Sequence, residues 1–412
     1  MLNQQSYIER CVNELAEITE QDSPYTRLVF SQEFDKAREW LRFEFEKLDL
    51  TVRTDNAGNL IGSYKSGELT DKKVMIGSHL DTVKSGGRFD GVAGIVASLA
   101  ILKEFKENNV QFPFDIELYD YLGEELNDWN TSCLGTRAMT GLLDDEILRR
   151  TDGAGRVLKN EIDRVGGNSD KLGERFECFE NVIACFELHI EQGRVLERTE
   201  KDIGIVKSIP SISRHSIQIN GRAGHSGTTL MNERKDALVV ASHLVTFINN
   251  EATKTSEKAN RHFVATIGKI ENYPNAATII PSKVEMLLDL RVVDANQREE
   301  FLNRLRAEVE AVSLSKEISV KFCDVAYSPF VELNQDLNSL IEKSIRAEGH
   351  SYVYMDSGAG HDTAHLARVA PASMIFIACK DGLSHCPEEF ALIEDIQKGA
   401  EVISRSILGL TG

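Results

Sequence analysis

GSHLDTVKSGGRFDGVAG, residues 77–94, is the stretch from which the rest of the chain can be read. It follows a short apolar run, Lys73–Ile76, that has the length and character of a buried strand, and it leads into the apolar segment Ile95–Leu102. His79 and Asp81 are two residues apart, and Asp90 follows a glycine-containing turn. An imidazole and two carboxylates therefore stand at the mouth of a strand-to-helix crossover, where open α/β sheets place their ligand sites. If this is a metal site, the remaining ligands must come from elsewhere in the chain.

Working outward, other apolar runs end on residues of the same chemistry. Asp115–Leu122 (DIELYDYL) reads as a strand and runs directly into Gly123-Glu124-Glu125. Cys185–Ile190 (CFELHI) is a third strand and contains His189, and Ser373–Cys379 (SMIFIAC) is a fourth, followed by a loop with His385. On the amino-terminal side, Phe34–Leu48 has helical periodicity, and Leu50–Tyr64 reads as two strands around a turn at Asn56–Gly58. Strands separated by helical segments predict an α/β fold, a mostly parallel sheet with helices on both faces.

Between these lies a block of different character. Arg214–Asn220, His262–Ile270, Lys283–Val293 and Glu317–Cys323 read as strands, with helices over Glu233–Asn249 and Asn296–Val312. Strand–helix–strand–strand–helix–strand is the order of a ferredoxin-like α+β unit. The expected organisation is a catalytic, metal-binding domain over residues 1–210 and 327–412, interrupted by a smaller domain over 211–326. A chain of 412 residues is long enough for two such cores.

Composition narrows the function classes. Hydrophobic content of 42% and charged content of 27% are those of a soluble globular protein. A net charge of −18 argues against nucleic-acid and anionic-membrane partners, although one cationic pocket could still accept a small anion. The opening MLNQQSYIERC lacks a signal-type apolar core, and no run approaches the ~20 apolar residues of a membrane span. Seven cysteines without paired spacing suggest reduced thiols, so a cytoplasmic location is expected.

The constellation can be weighed residue by residue. Adjacent side chains in extended chain point in opposite directions, so one of Glu124 and Glu125 can bind metal while the other faces water or substrate. With His79, Asp90, His189 and His385, these are ligands that zinc, manganese, cobalt or nickel accept. The set would suffice for two ions sharing Asp90, with the spare glutamate moving a proton and Asp81 orienting His79. Each element also has a plainer reading. A lone histidine at a strand end is commonly structural, paired glutamates commonly open a solvated helix, and FDG is compatible with a simple turn.

The segments SHLDTVKSGGRFDG, GEE, ELHIEQG, GRAGHSGTT, LDLRVVD, SGAGHD and GLSHCPEEF occur in this order. Together they resemble the dinuclear-metal amidohydrolases of the hydantoinase/carbamoylase group. That group includes N-carbamoyl-L-amino-acid hydrolases, β-ureidopropionases and allantoate amidohydrolases, and is related to aminoacylases and di-zinc exopeptidases. The resemblance implies a di-zinc exopeptidase-like catalytic domain and an inserted lid and dimerisation domain, hence a homodimer. It implies two divalent ions per subunit, with His79, Asp90, Glu125, His189 and His385 as ligands and Asp90 bridging. Glu124 would be the general base, and Asp81 would orient His79. His225 would steady the oxyanion, in this group often across the dimer.

By the same resemblance, Gln192, His225, Asn275 and Arg291 would bind a small carboxylate-bearing substrate, with the backbone around Gly358 and Gly360 lining the pocket. Arg291 projects from the polar face of its strand beside Asp289, where it could grip a carboxylate bidentately or form an internal ion pair. His225 and Arg291 belong to the inserted domain and the ligands to the large one, so a complete site would require the two to approach. Cleavage of an N-carbamoyl-L-amino acid is the leading expectation. Allantoate, ureidoglycolate, an N-acyl amino acid or a dipeptide are the alternatives, and a non-catalytic binding module is the reading from another class. One departure stands out: Leu126–Asn130 replaces the Gly-x-Arg-Phe common after the double glutamate, which nominates Trp129 and Asn130 as new pocket-wall contacts.

Overall fold

Apolar runs bounded by turns become the strands of the larger sheet. In the computed structural model, which describes residues 2–66, 70–172, 179–258 and 261–411, this sheet has nine strands. Its main run is, in spatial order, Thr51–Thr54, Leu60–Tyr64, Asp115–Asp120, Lys73–Ser78, Val182–Ile190, Ala372–Ile377 and Ile203–Ile209. The three pairings at its centre are parallel. Those of Leu60–Tyr64 with both its neighbours, and of Ala372–Ile377 with Ile203–Ile209, are antiparallel. The sheet is thus mixed, mostly parallel where it matters for chemistry, and flanked by helices.

The parallel register has one consequence above all. Lys73–Ser78, Asp115–Asp120, Val182–Ile190 and Ala372–Ile377 point the same way, so residues at or just beyond their carboxyl ends gather along one edge. Helix Val92–Glu107 is buried along most of its length because its sequence is apolar on nearly every side. Its N-cap, Gly91, adopts φ +66, and a Cβ there would lie 2.4 Å from the carbonyl oxygen of His79. The glycine lets the chain turn from Asp90 into the helix while passing directly over His79.

The chain divides into two compact units, one of residues 1–207, 332–355 and 361–412, the other of 208–331 and 356–360. In the smaller unit, four antiparallel strands run in the order Ser319–Ser328, Ser211–Asn220, Lys283–Val292, Phe263–Tyr273. This is the ferredoxin-like order 4-1-3-2 when the strands are numbered along the chain. Lys283–Val292 alternates strictly, with Val284, Met286, Leu288, Leu290 and Val292 buried with residues of the helices Ala237–Lys258 and Ala295–Lys316 in one apolar core. The first of those helices starts later than its sequence suggests. Asp236 accepts the N–H groups of Leu238 and Val239 and so takes the capping role.

The described cysteines carry no disulfide. Among the described residues no helix is long and apolar enough to cross a membrane.

Candidate metal centre

All five candidate ligands lie in the larger unit, and its sheet edge brings them together. His79 follows Lys73–Ser78, His189 is the penultimate residue of Val182–Ile190, and Glu125 and His385 occupy loops beyond the neighbouring strands. They form two donor sets, His79–Asp90–His189 and Asp90–Glu125–His385, whose ligand atoms lie within 4.8 Å of one another. Asp90 divides itself between them. Its Oδ1 is 3.4 Å from His79 Nε2 and 3.1 Å from His189 Nε2, and its Oδ2 is 3.3 Å from His385 Nε2. His385 Nε2 is also 3.4 Å from Glu125 Oε1.

Main-chain carbonyls set the tautomers of the two buried imidazoles. His79 Nδ1 donates to the carbonyl of Asp81 and His189 Nδ1 to that of Ile190, each at 2.9 Å. Because a carbonyl only accepts, both Nδ1 atoms carry a proton, and Nε2 of each ring turns to Asp90, that of His189 also meeting the N–H of Gly91 at 3.3 Å. The Asp81 carboxylate has a second task. Its oxygens accept the N–H groups of Glu124 and Glu125, both at 3.1 Å, while Oδ1 lies 3.6 Å from His79 Nδ1. Asp81 therefore orients the imidazole mainly through its carbonyl and holds the double glutamate through its side chain.

Glu124 is buried beside the first donor set, with Oε2 3.8 Å from His79 Nε2 and Oε1 3.7 Å from Cys133 Sγ. Gln192 places Nε2 2.6 Å from Asp90 Oδ2, so this candidate substrate residue lies against the shared carboxylate. Gln192 and His385 both have left-handed backbone, φ 55 and 57. Side chains other than glycine rarely adopt it, and such positions concentrate where function requires a particular direction. His361 packs against His189, ring centroids 4.6 Å apart, and supplies no atom to either donor set.

The electrostatics are those of a site short of positive charge. Burial pushes Glu124 well above the usual carboxyl range, with Glu125 and Asp362 adding to the shift. Burial, reinforced by Asp90, raises Glu125 to about 7. Burial works against the charge of His79, but Asp81, Asp90 and Glu124 outweigh it and raise the imidazole well above its ordinary value. Contact with Asp90 lifts His385 to about 9. Buried acids crowded in this way take up compensating charge as protons or as a cation. His79 Nε2 is buried without a hydrogen-bond partner among the described residues, 3.4 Å from Asp90 Oδ1. Nitrogen and carboxylate donors in two sets sharing one aspartate fit a pair of divalent ions.

The remaining candidates lie in the smaller unit. His225 is exposed, and its Nδ1 accepts the N–H of Gly227 at 3.1 Å, which leaves Nε2–H as a donor. Arg234 steadies this loop by donating to the carbonyls of Ser226 and Thr229. Asn275 is exposed, with left-handed backbone at φ 56. Arg291 donates through Nε to Asp289 at 2.9 Å and through Nη1 to the carbonyl of Gly358 at 3.2 Å. Arg214 reaches the other oxygen of Asp289 at 3.3 Å. Two guanidiniums share one carboxylate, which leaves a positive charge in excess. A Cβ on Gly358 would meet the His262 ring at 3.1 Å, and one on Gly360 would meet Ile212 at 3.0 Å, so a side chain at either position would be tightly packed.

One expectation is overturned. Trp129 is not a pocket-wall contact, since it is 1% exposed and buried in the core. Its Nε1 donates to the carbonyl of Arg156 at 2.8 Å, and Phe30 meets its ring edge-on at 5.4 Å. Asn130 turns outward in left-handed backbone, its carbonyl accepting from Arg150. The polar neighbours Asn127, Asp128 and Asn130 disguise a core tryptophan as a loop residue. The local sequence also hides Glu389, which is 2% exposed and bonded to the Asp90 loop. It stands within GLSHCPEEF, so proximity to His385 was the available signal.

The chain is similar to known proteins over most of its length. The family model for peptidase family M20/M25/M40 matches residues 75–409. The N-carbamoyl-L-amino-acid amidohydrolase of Pseudomonas sp. (strain NS671) is 33% identical, with 96% of each chain covered. The allantoate amidohydrolase of Bacillus subtilis (strain 168) is 29% identical over 93% of this chain and 92% of its own. A hydantoinase/carbamoylase-family amidase of Burkholderia multivorans superposes with a TM-score of 0.87 at 27% identity, covering 99% of this chain and 98% of the other.

Proposed function

The chain belongs to peptidase family M20/M25/M40, and from that membership we propose that it cleaves the carbamoyl group from an N-carbamoyl-L-amino acid. It is a hydrolase of C–N bonds in linear amides, the activity for which its relatives are named. One observation carries the reading: Asp90 turns a separate oxygen to each of two donor sets, with Glu124 beside them. The ligands would be His79, Asp90 and His189 for one ion, and Asp90, Glu125 and His385 for the other. When bound, divalent ions there supply Lewis acidity to the ureido carbonyl and acidify a water.

The chain's own residues do the rest. Glu124 takes a proton from the attacking water and returns it to the departing amino nitrogen. Asp81 holds Glu124 and Glu125 by their N–H groups, so the base and a ligand move as one piece. His225 offers Nε2–H to the developing oxyanion. Arg291, with its charge only partly met by Asp289, takes the substrate carboxylate, and Asn275, Gln192 and the Gly358–Gly360 backbone orient the remainder. Water oxygen bonds to the ureido carbon as the bond to the amino nitrogen breaks. The products are the free amino acid and carbamate, which decomposes to carbon dioxide and ammonia. Zinc, manganese, cobalt or nickel suits the donors, a homodimer through the smaller unit is part of the proposal, and the expected location is the cytoplasm.

Product release after reconstitution with each metal tests the reading: ammonia from N-carbamoyl-L-amino acids, allantoate and ureidoglycolate, and free amino acid from N-acetyl amino acids and dipeptides. Preference for N-carbamoyl-L-amino acids is expected. Faster turnover of allantoate would replace the substrate while keeping the chemistry, and full activity in chelator-stripped protein would end the metal mechanism.

A further inference from the structure

Asp90 can serve both donor sets only if its backbone is held, and what holds it comes from the far end of the chain. Glu389 is 2% exposed, in the loop that carries His385. Its Oε1 accepts the N–H of Phe89 at 2.7 Å and that of Asp90 at 3.0 Å. Its Oε2 is 2.7 Å from Ser384 Oγ, which is itself 3.0 Å from Asp90 Oδ2. The next residue reinforces the clamp, because the Phe390 ring meets Phe89 edge-on at 5.6 Å. Gly87 is built around the same carboxylate. It has φ +118, and a Cβ there would lie 2.4 Å from the carboxyl carbon of Glu389.

This arrangement repeats, with different residues, what Asp81 does for Glu124 and Glu125. In each case one buried carboxylate accepts two successive N–H groups of a loop that presents ligands. We propose that Glu389 is a positioning residue of the metal centre. It fixes the Asp90 backbone to the His385 loop, so that the two oxygens of Asp90 remain divided between the two donor sets. The inference rests on the metal-centre reading above and assigns Glu389 no contact with substrate.

The test is manganese loading of the intact protein and of Glu389→Ala and Glu389→Gln, read by metal content and by electron paramagnetic resonance. Magnetic exchange between two Mn(II) ions reports a shared bridge. Native protein should bind two ions with a coupled signal. Glu389→Ala should weaken one ion by about 10–100-fold, the usual effect of removing an outer-shell partner, and lose the coupling. Glu389→Gln keeps an oxygen that can accept both N–H groups and should remain close to native on both readouts. Coupled ions at native affinity in Glu389→Ala would overturn the proposal, and so would equal damage from Gln and Ala, which would make charge rather than the backbone clamp decisive. If Glu389→Ala does not fold, Glu389→Asp, one methylene too short, takes its place with the same expectation. Native protein that binds no divalent ion would instead remove the metal centre itself, and the role of Glu389 with it.

Discussion

The two clusters of candidate residues are held in contrasting ways. In the larger unit, His79 and His189 are buried, their tautomers are set by main-chain carbonyls, and the loops beside them are tied by Asp81 and Glu389. In the smaller unit, His225 and Asn275 are exposed, and Arg291 shares Asp289 with Arg214 on a half-buried strand face. Bond-making chemistry needs donors fixed to a fraction of an ångström, which burial and paired hydrogen bonds provide. Selecting a substrate tolerates looser placement, and exposed polar side chains can change without disturbing a core. Relatives named for carbamoyl amino acids and for allantoate fit this division.

The contrast breaks most directly at Glu124. Glu124→Gln should lower kcat by about 10²–10⁴-fold, the usual contribution of a general base, with metal content unchanged. Steady-state turnover beside metal analysis checks it, and normal turnover would remove Glu124 as the base.

Asp81→Ala should come next, costing about 10–100-fold in metal affinity, because the N–H groups of Glu124 and Glu125 lose their acceptor. Competition with a chelator measures this. If affinity held, the claim that the larger unit's loops are tied by side-chain clamps would fail.

Arg291→Ala should act on the other side of the comparison. Loss of a charge-assisted hydrogen bond is worth about 1.5–3 kcal/mol, or roughly tenfold to a hundredfold in KM for carboxylate substrates. Metal content and the turnover of bound substrate should be nearly unchanged. A fall in metal content instead would mean that Arg291 serves the fold rather than the substrate.

The smallest effect concerns stability. Glu117 is buried among Lys73, Arg53, Tyr119 and Ser63. Burial opposes its charge, but Lys73, Arg53 and Tyr119 prevail and lower its pKa to about 2 from an ordinary 4.5. A carboxyl depressed in the folded state stabilises the protein fully above its unfolded value. This contribution should be lost as pH falls from about 4.5 through about 2. Glu117→Gln should cost about 1–3 kcal/mol at pH 7 and flatten that acid limb in denaturant titrations, with activity per folded molecule retained.

How much of this was legible in the chain depended on the range of the interactions. Short apolar runs ending on His79, Glu124–Glu125 and His189 identify strands and their carboxyl ends, because alternation and turn chemistry act over a few residues. The polar face of Lys283–Val292 was equally readable, since a strand's period is two. Trp129 reads as a loop residue because its burial involves Phe30 and Arg156, distant residues that its polar neighbours do not betray. Glu389 carries no local signal of its burial although it stands within GLSHCPEEF. Its partners lie about 300 residues away in sequence, and no local pattern encodes them.

By itself, then, the sequence determined the α/β class, the strand–helix order of the ferredoxin-like unit and a set of candidate donors, because periodicity and residue chemistry are local properties. Only the tertiary structure decided which oxygen of Asp90 faces which histidine, that Asp81 acts on Glu124 and Glu125 through its carboxylate, and that Glu389 binds the Asp90 loop. Those are matters of direction and distance between segments remote in sequence, and packing alone sets them.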